Sequence, residues 1–211
     1  MSKVISPKQQ VVAKFRQSEI LAAARSVFAR KGFEAALVDD IAAEAGIAKG
    51  TVYLYFKSKA EIYSAALQED LEELAAIKRE RVARAGGLRE KLLALFVATI
   101  EFCDERRDFF RIYLLETGKP ACSPLHAKEI AAHKASQFRI VVDLLAECAR
   151  NGEIRPLPAE RAATLIGDAI RGTIERRLLE TKNSPAQEDA QVLVDLLWNG
   201  FKPETGAKRG R

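Results

Sequence analysis

The sequence is poor in the residues that most often carry chemistry at a protein centre. Its 211 residues include two histidines, three cysteines, one methionine and one tryptophan. The cysteines, Cys103, Cys122 and Cys148, are odd in number and form no CxxC pair, which argues against a disulfide framework and a zinc site and leaves them as reduced thiols. His126 and His133, seven residues apart, are too sparse a donor set for a metal site. There is no GxSxG, HExxH or Walker loop, so no catalytic residue, cofactor or metal is expected, and the chain is not read as an enzyme. No apolar run reaches the roughly 18 residues a membrane span needs, and the N-terminal stretch MSKVISPKQQVVAKF lacks the apolar segment of a secretory signal. The expected compartment is the cytoplasm, with no membrane partner.

What the chain does have is an unevenly placed charge. The formal net charge is +5, and residues 1–60 carry 10 Lys+Arg against 5 Asp+Glu, so the remainder is neutral. A basic end on a neutral body points to a polyanion partner for that end, either nucleic acid or an anionic membrane surface. The terminal Lys208 to Arg211 run adds to it or is a solvated end.

Apolar residues recur at helical spacing and nowhere with strand-like alternation. Ile20, Ala24, Val27 and Phe28 make one stripe; Leu88, Leu92, Leu95, Phe96, Thr99, Phe102 and Cys103 make a second; Leu165, Ile166, Ala169, Ile170, Ile174 and Leu178 make a third. Gly32, Gly46, Ser58, Gly86-Gly87 and the turn-rich stretches at 118–124, 151–158 and 183–185 punctuate them. The expected fold is all-α with about nine helices, short ones before residue 57 and longer ones after. The expected domains are a basic head at 1–57, a connecting helix at 58–85, an effector-binding and dimerisation body at 86–204 and a basic tail at 205–211.

Within the head, Leu37 to Phe56 reads LVDDIAAEAGIAKGTVYLYF. Val38, Ile41, Ala42 and Ala45 predict a short helix with a small residue where another helix crosses. Gly46 supplies a turn with positive φ, and Ile47, Val52 and Phe56 turn inward on the segment that follows. Helix, glycine turn, helix is the arrangement of a helix-turn-helix, whose second helix enters the DNA major groove. The same geometry sends Lys49, Gly50, Thr51, Tyr53 and Tyr55 outward. Lys49 can donate to guanine O6 and N7, Gly50 lets backbone approach closely, and Thr51 can meet base edges or phosphate. Tyr53 and Tyr55 offer hydroxyls to phosphate, and Lys57 and Lys59 add cations at the start of the next helix.

The residues Ser18 to Ala24, Phe28, KGFE at 31–34 and DDIAAEAGIAKGTVYLYFKSKAEI at 39–62 resemble the tetracycline-repressor (TetR) family of bacterial transcription regulators. The likeness covers roughly residues 16–65 and is specific there; beyond it, only length and helical layout correspond. It implies that Lys49, Gly50 and Thr51 contact bases and that Tyr53, Tyr55 and Lys59 hold phosphates. One departure stands out. Ala36 and Leu37 occupy positions where the family usually has Thr and then Ser or Thr, and a missing hydroxyl cap costs about 1 kcal/mol. Asp39 and Asp40 partly compensate through the helix dipole.

A helix-turn-helix protein usually dimerises to read two half-sites. Leu165, Gly167, Ala169, Gly172 and Ile174, followed by Leu193, Leu196, Leu197 and Gly200 with Trp198 at the edge, offer small and apolar surface for a homodimer, or equally for a monomer core. The resemblance implies a four-helix dimer interface there. Phe96, Phe102, Phe109, Phe110, Tyr113 and Phe138 suit either a core or a cavity for a hydrophobic or aromatic small molecule. Arg139, Asp168, Arg171 and Glu175 are polar groups for such an effector or for dimer ion pairs. By resemblance, the protein is a sequence-specific regulator that binds double-stranded operator DNA, a repressor released by its effector. The rival reading is a helical interaction protein whose basic head binds nucleic acid or anionic membrane without selectivity.

Overall fold

The computed structural model describes residues 7–116 and 124–201, and every regular element among them is an α-helix. In chain order these are α1 (Pro7–Ala35), α2 (Val38–Glu44), α3 (Lys49–Tyr53), α4 (Lys59–Arg84), α5 (Leu88–Glu105), α6 (Arg107–Glu116), α7 (Pro124–Arg150), α8 (Ala159–Leu179) and α9 (Ala186–Phe201). The helical periodicity of the sequence therefore becomes nine helices among the described residues. The basic tail at 205–211 and Cys122 lie outside them.

Packing divides the described residues into two units, one of residues 7–71, 108–116 and 124–129, the other of residues 72–107 and 130–201. The division falls inside α4, between Leu71 and Glu72, whereas the charge step and the change in helix length mark residue 57. The two boundaries differ because a long helix that begins against one core continues into another without a break in its hydrogen bonding.

In the first unit, the stripe Ile20, Ala24, Val27, Phe28 is wholly buried, Ile41, Ala42, Val52, Phe56, Ile62 and Tyr63 of the α2 to α4 segment are buried too, and Phe28 meets Tyr63 edge-on. Gly32, at φ 75°, breaks the regular course of α1 close to its end. The α2–α3 turn rests on Gly46, at φ 66°. Its N–H donates to the Ala43 carbonyl at 3.1 Å and the Ile47 N–H to that of Ala42 at 2.9 Å, which satisfies two carbonyls that the end of α2 leaves open. A side chain with a Cβ is strained at that φ, so glycine is what lets α3 leave in its observed direction.

The second unit is built on α5, which is buried on most of its circumference from Leu88 to Cys103. Leu92, Phe96 and Ile100 are fully enclosed with Val141, Val142, Leu145 and Cys148 of α7, Ala163 and Ile166 of α8, and Ala190 and Val194 of α9. Burying each large side chain contributes about 1.5–3 kcal/mol, which makes this cluster the main source of the unit's stability. A charged clamp closes its other end. Arg177 of α8 is 2% exposed. Its guanidinium donates to Asp104 of α5 and, at 2.5 Å, to Asp189 of α9. Arg176 also reaches Asp189, at 2.7 Å.

Candidate nucleic-acid interface

Three helices position the interface, and polar pairs fix their mutual angles. Arg30 and Ser26 of α1 hold Glu44 of α2 at 3.0 and 2.8 Å. Lys31 pairs with Asp40 at 2.7 Å. The Asp40 carboxylate also accepts the Leu37 backbone N–H at 3.0 Å. These bonds hold Asp40 below the usual carboxylate range, the Lys31 hydrogen bond contributing most. Leu37 itself is the N-cap of α2 and offers no side-chain bond. Asp40 therefore compensates through a direct hydrogen bond to the cap's own backbone, in addition to any dipole effect. Leu37 is 58% exposed, so Leu37→Ser removes little packing and supplies the missing acceptor. It is expected to raise stability by about 1 kcal/mol, read as the denaturation midpoint.

α3 is only five residues long, and Val52, its fourth residue, is fully buried. Helical bonding runs on through the Phe56 N–H to the Val52 carbonyl at 3.0 Å, which sets buried Phe56 on the same inner side. With that side inward, Lys49, Gly50 and Tyr53 are exposed, Thr51 and Tyr55 are half-buried, and Lys57 is exposed at the start of the α4 turn. All seven residues singled out in the sequence lie on this one stretch, but they are held differently. Lys49 donates to Asp39 of α2 at 2.8 Å, and that bond raises its pKa further. The ammonium is thus fixed between the two helices of the motif. From sequence Asp39 is only a dipole partner of α2; its salt bridge spans ten residues, and no local spacing rule points to it. Lys59 donates to the carbonyls of Phe33 at 2.7 Å and Glu34 at 3.0 Å, and lies 4.6 Å from the Phe33 ring centre. It ties down the C-terminal end of α1, a fixing role that charge counting does not reveal. Leu54, 80% exposed beside Tyr53, is a further outward group that the sequence reading passed over.

The start of α4 is anchored by Ser58, whose hydroxyl accepts the Glu61 N–H at 3.1 Å, while Glu61 accepts the Lys57 N–H at 2.5 Å. Lys57 is thereby presented with its backbone fixed. Behind the motif, Phe28, Phe33, Tyr63 and Phe109 form a chain of ring contacts with centroids 4.9–5.7 Å apart. Arg25 of α1 binds Asp70 of α4 at 2.7 Å, and Asp70 is completely buried.

The residues considered for an effector are distributed over both units. Phe96 lies in the α5 core, and Phe102 is buried under the Arg106 guanidinium, 3.9 Å from its ring centre. Phe110 belongs to the first unit, edge-on to Phe109. Phe138 and Arg139 are exposed on α7, and Arg171 is exposed and paired with Asp168 at 2.6 Å. The Tyr113 side chain lies outside the described residues. Of the dimer candidates, Leu165, Gly172 and Leu196 are exposed, Ala169 and Ile174 are half-buried, and Leu193, Leu197 and Trp198 pack on the second unit's core. Leu179 and Val192, both 59% exposed, extend the outward apolar stripes of α8 and α9 and were not picked from the sequence. Among the described residues no helix is long and apolar enough to cross a membrane, and no three His, Cys, Asp or Glu stand together as metal donors.

Comparison with known proteins places this geometry. The family model for bacterial regulatory proteins of the tetR family matches residues 20–66, which span α1 from Ile20 to the first turns of α4. The chain is 32% identical over 141 residues to the HTH-type transcriptional repressor KstR2 of Mycolicibacterium smegmatis, covering 67% of this chain and 68% of that one. Its fold is similar to the structure of the ketosteroid transcriptional regulator KstR2 of Mycobacterium tuberculosis, with a TM-score of 0.67 at 29% identity over 90% of this chain and 96% of the other. It is also similar in fold to the transcriptional regulator FadR of Bacillus subtilis in complex with stearoyl-CoA, with a TM-score of 0.77 at 23% identity over 87% and 98%. The glycine-turned helix pair, the outward polar set on α3 and these likenesses agree: the chain belongs to the TetR family and is a DNA-binding transcriptional regulator.

Proposed function

We propose that the protein is a homodimeric repressor that reads a two-fold operator in double-stranded DNA with α3 and releases it when a small apolar or aromatic effector binds its C-terminal helices. The observation that carries the reading half is the outward row Lys49, Gly50, Thr51, Tyr53 over a buried Val52. Gly50 supports it independently. A Cβ built at Gly50 meets nothing within 4 Å, so the protein itself has no need of glycine there, and glycine in a helix is unfavourable by roughly 0.5–1 kcal/mol relative to alanine. An approaching DNA backbone or base edge supplies the reason. In this reading Lys49 and Thr51 contact bases, Tyr53, Tyr55 and Lys57 contact phosphates, and Lys59 fixes α1 while lending its charge. Asp39 joins them as the residue that aims Lys49.

Lys49→Ala is expected to relax base preference at one operator position at a loss of about 1–3 kcal/mol, whereas Lys57→Ala weakens every duplex alike and flattens the salt slope by about one unit. Gel shifts on an operator and its single-base variants, at several salt concentrations, check this; identical behaviour of the two substitutions refutes the division of labour.

The dimer reading rests on Leu165, Gly172 and Leu179 of α8, seven residues apart and exposed, with Val192 and Leu196 exposed on α9. Two such helices from each protomer make a four-helix interface. Leu196→Glu is expected to shift the protein to monomer in sedimentation and to weaken operator binding with it; an unchanged sedimentation coefficient excludes this face. The effector reading is supported by the aromatic content of α5 and by the description of a 29%-identical relative as a ketosteroid regulator. It favours a rigid or extended hydrocarbon body. Release of the operator then requires a coupling of about 1–3 kcal/mol between the two sites.

A further inference from the structure

The inward stripe of α4 in the second unit contains a lysine where its neighbours are apolar. Leu74 and Ala75 are buried and Val82 packs on the hydrophobic core. Lys78, one helical turn after Leu74 and one before Val82, shares that face and is itself partly buried. Two nearby cations of the α4 and α5 segments are paired with carboxylates: Arg81 binds Glu101 at 2.6 Å, and Arg106 binds Glu73 at 2.8 Å. Lys78 has no ion pair or hydrogen bond among the described residues. Cys103 of α5 is buried in the same unit.

A lysine held this way is unfavourable for folding. Burial strips water from the ammonium and pushes its pKa down to about 8, with only the Cys103 thiol opposing. A methionine of similar length fills the same space without that penalty, so stability alone does not account for lysine. An incoming anion does. One ammonium on an otherwise apolar helix face, with the guanidiniums of Arg81 and Arg106 already holding carboxylates, balances one negative charge, which fits a carboxylate rather than a phosphate dianion.

We infer that Lys78 anchors the carboxylate of an apolar carboxylic acid whose hydrocarbon body lies along the α4–α5 face, an inference that rests on the effector reading above. It adds to that reading a required charge and a residue to receive it.

The test uses the full-length protein and matched ligands: lithocholate and its C24 alcohol, dodecanoate and dodecanol, and dodecanoyl-coenzyme A, with binding measured by calorimetry. At least one acid is expected to bind about tenfold or more tighter than its own alcohol, the range of a charge-assisted hydrogen bond. Lys78→Met and Lys78→Gln are expected to abolish that preference while binding the alcohol as the wild type does, Lys78→Met melting at a higher temperature than wild type; Lys78→Arg is expected to retain the preference. Acid and alcohol binding equally, a preference that survives in Lys78→Met, or a thioester bound in preference to its acid overturns the role of Lys78 and leaves the effector reading standing. If no member of either pair binds, the apolar-effector reading fails, and this inference falls with it.

Discussion

Arg177→Ala is expected to lower stability by about 3–5 kcal/mol, the range for breaking a buried ion pair from one side. The guanidinium is 2% exposed and joins Asp104 of α5 to Asp189 of α9, so its loss removes the cation the two carboxylates share and leaves Arg176 alone to hold Asp189. Burial alone would raise the Asp189 pKa. The hydrogen bonds from Arg177 and Arg176 outweigh it and hold the group below the usual carboxylate range. A carboxylate whose folded pKa is depressed gives stability that is fully present above its unfolded pKa, about 3.9, and is lost as the pH falls through the folded value. Wild-type stability should therefore decline below about pH 4 partly through this clamp, and the Arg177→Ala variant should decline less steeply over the same range. Urea unfolding at pH 7 and pH 3.5 measures both effects. Equal losses at the two pH values would show that the clamp does not act through charge.

Phe96→Ala is expected to lower stability by a comparable amount, about 3–5 kcal/mol, for a different reason. Phe96 is completely buried in the α5 core among side chains of α7, α8 and α9, so truncation removes transfer energy and leaves a cavity that the surrounding helices fill only in part. The substitution also separates two roles that the sequence leaves together. If Phe96 acts only as core, the variant binds effector with unchanged affinity once it is folded at low temperature, and the loss appears in the unfolding midpoint alone. If it also lines the effector site, affinity falls as well.

The fold was legible because its signals are periodic. Stripes at 20–28 and 88–103 are buried as helical spacing requires, and Gly46 takes the positive φ that a glycine-turned helix pair needs. The exposure of the candidate interface was legible for a related reason: Val52 and Phe56 point inward, so Lys49, Gly50 and Tyr53 have nowhere to go but out. What the sequence could not show are contacts between residues far apart along it. The Asp39–Lys49 bond, the Lys59 bond to the end of α1, and the Arg177 clamp across α5, α8 and α9 join residues separated by 10, 25–26 and 12–73 positions. No propensity or spacing rule reaches that distance. The third stripe shows the converse limit. Ile166 and Leu178 are buried while Leu165 is 67% exposed, because neighbouring positions on a helix look in different directions and hydrophobicity alone does not say which is covered. Lys78 is inconspicuous for the same reason: it is one basic residue in a helix rich in charge, and only the burial of Leu74 and Ala75 marks its face as apolar.

The account turns on α3 reading sequence from DNA as one of a symmetric pair. Selection of bound duplexes from a random pool by the full-length protein, at physiological salt and without added effector, tests it most directly. The expected result is enrichment of an inverted repeat whose half-site centres lie about 34–36 Å apart or at a multiple of that spacing, with the enrichment at one position per half-site lost in Lys49→Ala. A folded protein that retains all duplexes equally, with affinity set by salt alone, would contradict it.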